Sequence, residues 1–343
     1  MRLRPVQGDG LPRDQRLIYV KPDPCHDGCD AMQSRTERPD AVVDAPADNW
    51  VDRFAPPRTR PWLRLSRADR PIGTWLLLLP CWWGIGLAMM ADAPRLFDLW
   101  IALACALGAF VMRGAGCTWN DITDRAIDAQ VARTRSRPLP SGQVGLRGAY
   151  LWLGLQGLVG LAILVTLGQA AVWMGVASLA LVAIYPFAKR FTWWPQLFLG
   201  FAFNWGVMLA YAAHMGRVDA APVVAWLGAI AWTIFYDTIY AHQDVEDDAL
   251  IGVRSTARLF ADRSPQILAG FAVVAVAVLA VAVGLTGRNQ LMGWAGVLAF
   301  GLHLMWQLQK FHPDQGDICL ELFRSNRDSG LILALFLAIA GLA

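Results

Sequence analysis

Charged side chains are what this sequence has least of. Asp, Glu, Lys and Arg together make up 17% of its 343 residues, against 56% hydrophobic ones, a balance wrong for a water-soluble domain. The net charge is +3, too small to suggest nucleic acid as a partner. Cysteine is sparse as well: Cys25, Cys29, Cys81, Cys105, Cys117 and Cys319 are scattered, and three of them fall in or next to apolar runs. That pattern excludes an extracellular disulfide framework. Cys25 and Cys29 stand alone as a C-x3-C pair, and structural zinc takes four ligands. The first 60 residues lack the apolar core of a secretory signal, and their many acids count against a mitochondrial transit peptide.

What is abundant is uninterrupted apolar sequence. Runs close to the roughly 20 residues that cross a bilayer recur from about residue 71 to the C-terminus. The expected spans are about 71–91, 97–117, 147–167, 170–187, 195–214, 221–241, 265–285, 289–309 and 328–343. Breaks at Pro94, Gly168-Gln169, Pro195, Gly216, Pro265 and Gly287-Arg288-Asn289 separate them. The fold class is therefore an all-α polytopic membrane protein of about nine transmembrane helices. Residues 1–60, rich in Pro, Asp and Arg, form a polar tail expected to be disordered and cytosolic, with Trp50 to Trp62 resting on the membrane surface. Residues 61–343 form the transmembrane domain.

Basic residues set the orientation. One side collects Arg125, Arg133, Arg135, Arg137, Arg147, Lys189, Arg190, Arg254, Arg258, Arg263, Lys310, Arg324 and Arg327, while the other has Arg95, Arg217 and Arg288. Roughly thirteen against three is a strong positive-inside bias. The crowded side faces the cytoplasm, and a bacterial inner membrane is the expected location, with the mitochondrial inner membrane as the alternative.

Two acidic clusters close apolar spans on that same side: Asn120 to Asp128 (Asn-Asp-Ile-Thr-Asp-Arg-Ala-Ile-Asp) and Asp237 to Asp248. Carboxylates at the edge of hydrocarbon are expensive and by default mark function. On a helix, Asn120, Asp124 and Asp128 share one face at i, i+4 and i+8, with Asp121 at its margin. Asp237, Asp244 and Asp248 fall within a narrow arc of about 40° by the same arithmetic, with Tyr240 beside them. Hard oxygens stacked on one stripe suit Mg²⁺, which binds through one or two carboxylates plus substrate phosphates. The complementary cations are Arg133 and Arg137 after the first cluster and Lys189 and Arg190 at the end of the fourth span, where Tyr185 and Lys189 are one helical turn apart. Asn204-Trp205 lies within a span, where it lines a cavity or packs in the core with equal plausibility. His214 and His303 read as structural. A divalent-cation transporter needs its acids at the midplane of broken helices, not at one end of them.

With these motifs in hand, the chain resembles the UbiA family of membrane aromatic prenyltransferases over about residues 65–343. The N-D-x-x-D-x-x-x-D pattern matches Asn120 to Asp128, the second D-x-x-x-D matches Asp244 and Asp248, and Y-x-x-x-K matches Tyr185 and Lys189. Arg67-Ala68-Asp69-Arg70-Pro71-Ile72-Gly73-Thr74, Arg137-Pro138-Leu139-Pro140-Ser141-Gly142, Asp237-Thr238-Ile239-Tyr240-Ala241 and Phe323-Arg324-Ser325-Asn326-Arg327 resemble the branch that prenylates 4-hydroxybenzoate. The resemblance implies a bundle around a central cavity, open sideways to lipid, in which Mg²⁺ and polyprenyl diphosphate meet. It implies Asn120, Asp121, Asp124, Asp128, Asp244 and Asp248 as the metal set. Tyr185, Lys189, Arg190, Arg133, Arg137, Tyr240 and Asn204 are the expected substrate-binding residues. Asp237, Asp244, Lys189 and Arg190 are the expected catalytic ones, with Arg190 on the acceptor's carboxylate and Asp237 or Asp244 orienting its hydroxyl or taking a proton. Sister acceptors remain open at this stage: homogentisate, a naphthoate, haem or a glycerol phospholipid. No obligate protein partner is evident.

Overall fold

The computed structural model describes residues 45–46, 49–130, 134–245, 249 and 252–343. The segment before residue 45, with Cys25 and Cys29, lies outside them. Two short helices, α1 (Trp50–Phe54) and α2 (Arg60–Leu65), precede the bundle. The bundle helices are α3 (Ile72–Ala91), α4 (Phe97–Asp128), α5 (Leu146–Leu164), α6 (Gln169–Ile184), α7 (Ala188–Phe191), α8 (Pro195–Phe203), α9 (Gly206–Met215), α10 (Ala220–Ala241), α11 (Thr256–Phe260), α12 (Ser264–Gly284), α13 (Gln290–Lys310) and α14 (Gly316–Leu342). Some of these join end to end, so that nine helical segments among the described residues are long and apolar enough to cross a membrane.

The expected spans recur within a few residues, with three exceptions. The second runs on to Asp128, the seventh begins at Thr256, not near 265, and the last begins at Gly316, not near 328. In the second and the last, the helix continues past the end of the apolar window, because intrahelical hydrogen bonds do not require apolar side chains once the chain leaves hydrocarbon. In α4 that continuation carries the first acidic cluster into a buried position: Asp121, Asp124 and Asp128 are all buried. At the N-terminus, Asn49 caps α1 by accepting from the Asp52 backbone N–H at 2.9 Å. Val51 and Ala55 pack with Leu63 and Ala68, and Trp50 Nε1 donates to the Ala68 carbonyl at 2.6 Å. Residues 49–60, read from composition as tail, are thus folded onto the start of the bundle.

Hydrophobicity does not separate inside from outside here. Leu99, Leu103 and Leu107 form an exposed stripe at i, i+4 and i+8 on α4, as expected of a surface facing lipid. What marks the interior is aromatic packing and buried hydrogen bonding. Trp83, Trp232, Phe300 and Tyr236 make one cluster, with Trp83 and Trp232 ring centroids 5.0 Å apart. Beside it, Asn326 donates to Gln307 Oε1 at 2.9 Å and accepts from Trp232 Nε1 at 2.8 Å, while Ser329 bonds His303 Nδ1 at 2.8 Å. This network ties α10, α13 and α14 together and gives His303 its structural role.

At the end far from the acidic clusters, the sparse cations are all engaged. Arg95 donates to the His214 carbonyl at 2.7 Å, Arg288 to the Asp92 carbonyl at 2.9 Å, and Arg217 pairs with Asp219 at 2.9 Å. His214, buried, meets Asp98 at 2.6 Å through Nδ1.

Helix α3 is the hub, packed on α4, α9 and α14. Its approach to α9 rests on Gly84, where a Cβ would collide with the Val207 carbonyl oxygen and stand 3.0 Å from its carbon, all of it backbone that cannot rotate away. Gly84→Ala is therefore expected to cost about 1–3 kcal/mol by overpacking, read as a lowered thermal unfolding midpoint in detergent. Gly108→Ala is the control, since a Cβ there meets nothing within 4 Å.

Candidate active site

The first acidic cluster is neutralised by cations drawn from three other stretches of chain. Asp124 is fully buried; Lys189 Nζ stands 2.6 Å from its Oδ2 and Arg190 Nη2 stands 3.2 Å from its Oδ1. The Lys189 contact is an ion pair without hydrogen-bond geometry, so Oδ2 is left with no hydrogen-bond donor. Asp128 pairs with Arg137 at 3.0 Å. Asp121 takes Arg67 Nη2 at 2.6 Å and lies 3.8 Å from Arg137. Arg67 comes from the turn before α3 and is itself buried, held at a positive φ of 56°. Asp121, expected at the margin of the metal-binding set, is instead the anchor of that turn.

Helix α10, which carries Asp237 and Tyr240, ends at Ala241, and the chain tightens into a 3₁₀ turn, His242–Asp244. The Asp244 side chain, Asp248 and Arg133 lie outside the described residues. Tyr240 stacks on Phe323 with centroids 4.4 Å apart. Burial lowers the His242 pKa, leaving a neutral ring 3.0 Å from Ser264 Oγ.

Asp237 faces the interior with company the sequence reading missed. Arg113 lies seven residues before Asn120 on α4. Its guanidinium lies over the Phe203 ring at 5.2 Å, and Gly73 on α3 leaves room for it, since a Cβ there would collide with the guanidinium. Its Nε is buried and has no partner. The signal was present in the sequence: an arginine inside an apolar span is by default functional.

Asn204 sits in the two-residue turn between α8 and α9 within the fifth span and is fully buried. Its amide donates to the Gly200 carbonyl at 2.8 Å and to Thr233 Oγ1 at 2.7 Å. Arg190, expected on an acceptor carboxylate, is instead half-exposed at the rim, where it also donates to the Thr123 carbonyl at 2.7 Å. A guanidinium already shared between a carboxylate and a carbonyl at the rim is poorly placed to seek a ring in the interior.

A divalent cation fits the first cluster chemically. Asn120, Asp124 and Asp128 offer hard oxygens on one face, and the buried Asp124 Oδ2 lacks a hydrogen-bond donor. Among the described residues no three His, Cys, Asp or Glu side chains gather as a metal cluster; Asp248 and the Asp244 side chain are not among them.

Removing Arg67 would strand Asp121 as a buried charge. Arg67→Met is expected to destabilise the protein by about 3 kcal/mol or more, read as loss of folded, monodisperse protein after detergent extraction. Substituting Asp121→Leu in the same chain should restore most of that loss; no recovery would show that Arg67 acts elsewhere.

The chain matches the UbiA prenyltransferase family over residues 77–341. It is 46% identical over 290 residues to the mitochondrial 4-hydroxybenzoate polyprenyltransferase of Rattus norvegicus, covering 84% of this chain and 76% of that one. It is 42% identical over 320 residues to the Aedes aegypti enzyme of the same name, covering 91% and 72%. Among solved structures, a UbiA homolog from Aeropyrum pernix K1 superposes with a TM-score of 0.63 at 23% identity, covering 77% of this chain and 97% of that one. A UbiA homolog from Archaeoglobus fulgidus bound to GPP and Mg²⁺ superposes at 0.62 with 19% identity, covering 82% and 99%.

Proposed function

The chain belongs to the UbiA prenyltransferase family, and on that premise we propose that it prenylates 4-hydroxybenzoate at the ring carbon ortho to the hydroxyl. The donor is an allylic polyprenyl diphosphate, and the step is an early membrane reaction of ubiquinone biosynthesis. The observation that carries the acceptor is Arg113, an arginine inside a span whose buried Nε has no hydrogen-bond partner. Such a group favours a small acidic ligand. Relatives named for 4-hydroxybenzoate at 46% and 42% identity support the same choice.

Asn120, Asp124 and Asp128, with Asp244 and Asp248 opposite, would hold Mg²⁺. Bound there, the metal would neutralise the diphosphate and make it a better leaving group. Lys189, Arg137 and Arg133 supply cations to the diphosphate oxygens, and Tyr185 adds a phenol on the same side. As the allylic C–O bond breaks, its electron pair leaves with the diphosphate. The acceptor ring, held by Arg113 through its carboxylate, attacks the allylic carbon from the position ortho to its hydroxyl. Asp237 takes the proton lost from that ring carbon, which restores aromaticity. Keeping this within the bilayer suits a donor whose tail costs about 0.8 kcal/mol per CH₂ to hold in water. The nine apolar helical segments make this a multi-pass membrane protein, and the positive-inside bias supports a catalytic end on the cytoplasmic face of a bacterial inner membrane.

In membranes supplied with labelled 4-hydroxybenzoate and a polyprenyl diphosphate, label is expected in the lipid phase with Mg²⁺ and not with EDTA. Asp124→Asn in folded protein should lower turnover at least about 100-fold; near-wild-type turnover would sink the metal clamp. Arg113→Leu is expected to raise KM for 4-hydroxybenzoate by about tenfold or more, leaving KM for the diphosphate within about twofold. The opposite pattern would move Arg113 to the donor side.

A further inference from the structure

The fifth span tightens into a two-residue turn between α8, which ends at Phe203, and α9, which begins at Gly206. Backbone hydrogen bonds run through it, from the Asn204 N–H to the Gly200 carbonyl at 3.2 Å and from the Val207 N–H to the Asn204 carbonyl at 3.1 Å. Phe203 lies under the Arg113 guanidinium, and Asn204 packs against Thr233, one helical turn before Asp237 on α10.

The orientation of Asn204 follows from its neighbours. The Gly200 carbonyl is an acceptor only, so the NH₂ group must face it. That same NH₂ donates to Thr233 Oγ1, whose proton goes on to the Tyr236 hydroxyl oxygen at 3.2 Å. Oδ1 therefore points away from both, fully buried and without a donor. Leaving such an oxygen unmatched is costly, and native interiors do so at sites that await a partner. The region thus holds two unmatched buried atoms of opposite kind, a donor at Arg113 Nε and an acceptor at Asn204 Oδ1. A para-hydroxy acid presents the complementary pair, a carboxylate and a phenolic O–H.

We infer that Asn204 is a specificity-determining residue for the acceptor: its carboxamide oxygen receives the phenolic hydrogen bond, and Thr233 is the positioning residue that fixes the carboxamide. The inference rests on the acceptor reading above and adds the group that recognises the hydroxyl. Accepting the phenol's hydrogen bond leaves the O–H intact through prenyl transfer and orients the ortho carbon, so no extra proton movement is required.

The test compares 4-hydroxybenzoate, which carries the hydroxyl, with benzoate, which lacks it and serves as a competitive inhibitor. KM for the first and Ki for the second are measured with geranyl diphosphate and Mg²⁺ in wild type, Asn204→Leu, Thr233→Val and Thr233→Ser. Asn204→Leu is expected to raise KM for 4-hydroxybenzoate about tenfold, the ratio commanded by one hydrogen bond to a buried group. Benzoate Ki should stay within about twofold, so that the two constants converge. Thr233→Val should move the same ratio in the same direction, and Thr233→Ser should restore it. The ratio does not depend on how much of each variant folds. An unchanged ratio in Asn204→Leu, or equal losses for both ligands, overturns the assignment while leaving the family reaction intact. Wild-type protein with neither transfer to 4-hydroxybenzoate nor saturable binding of it overturns both readings.

Discussion

Asp124 sits at the edge of hydrocarbon, fully buried, between Lys189 and Arg190. A lone carboxylate in that position would be strongly disfavoured, so the acids of α4 persist only because cations reach them from elsewhere in the chain. Arg67 comes from the segment before α3, Arg137 from the turn after α4, and Lys189 with Arg190 from the end of the fourth span. The acids therefore act as the hub that draws the N-terminal turn and two catalytic-end loops into place. The same cations are the ones a diphosphate would want. On the proposed mechanism, stability and substrate binding would share one set of charges.

Deeper in the bundle the logic changes from charge balance to hydrogen bonding. The network of Gln307, Asn326, Ser329, His303 and Trp232 is closed within itself and ties three helices together. Arg113 and Asn204 are open by contrast, each with a buried atom unmatched. That difference separates polar groups that hold the bundle together from the polar groups proposed to receive a ligand, although both kinds lie in apolar helices.

Individual residues show where sequence reasoning reached and where it stopped. Asn120, Asp124 and Asp128 were legible because α4 is one continuous helix through all three, so the i, i+4, i+8 arithmetic applied. For the second cluster α10 gives way to a 3₁₀ turn after Ala241, and Asp248 and the Asp244 side chain lie outside the described residues. Asp121 carries the same chemistry as Asp124, but its role depended on Arg67, 54 positions away in sequence and adjacent in space. Arg113 escaped notice because attention to loops is built into orientation rules, whereas a charge inside a span counts for neither side.

By itself the sequence determined the number of spans, their approximate limits, the end of the bundle that carries chemistry and the family to which the acidic motifs belong. These are consequences of local properties: apolar length, helical periodicity and the side on which basic residues gather. Only the tertiary structure decided which cation holds which acid, which buried polar groups remain unmatched, and that the fifth span tightens into a turn at Asn204. The physical reason is that pairing depends on distances of a few ångströms between residues far apart in sequence, and at such distances the balance of desolvation and attraction settles whether a charge is structural or free to act.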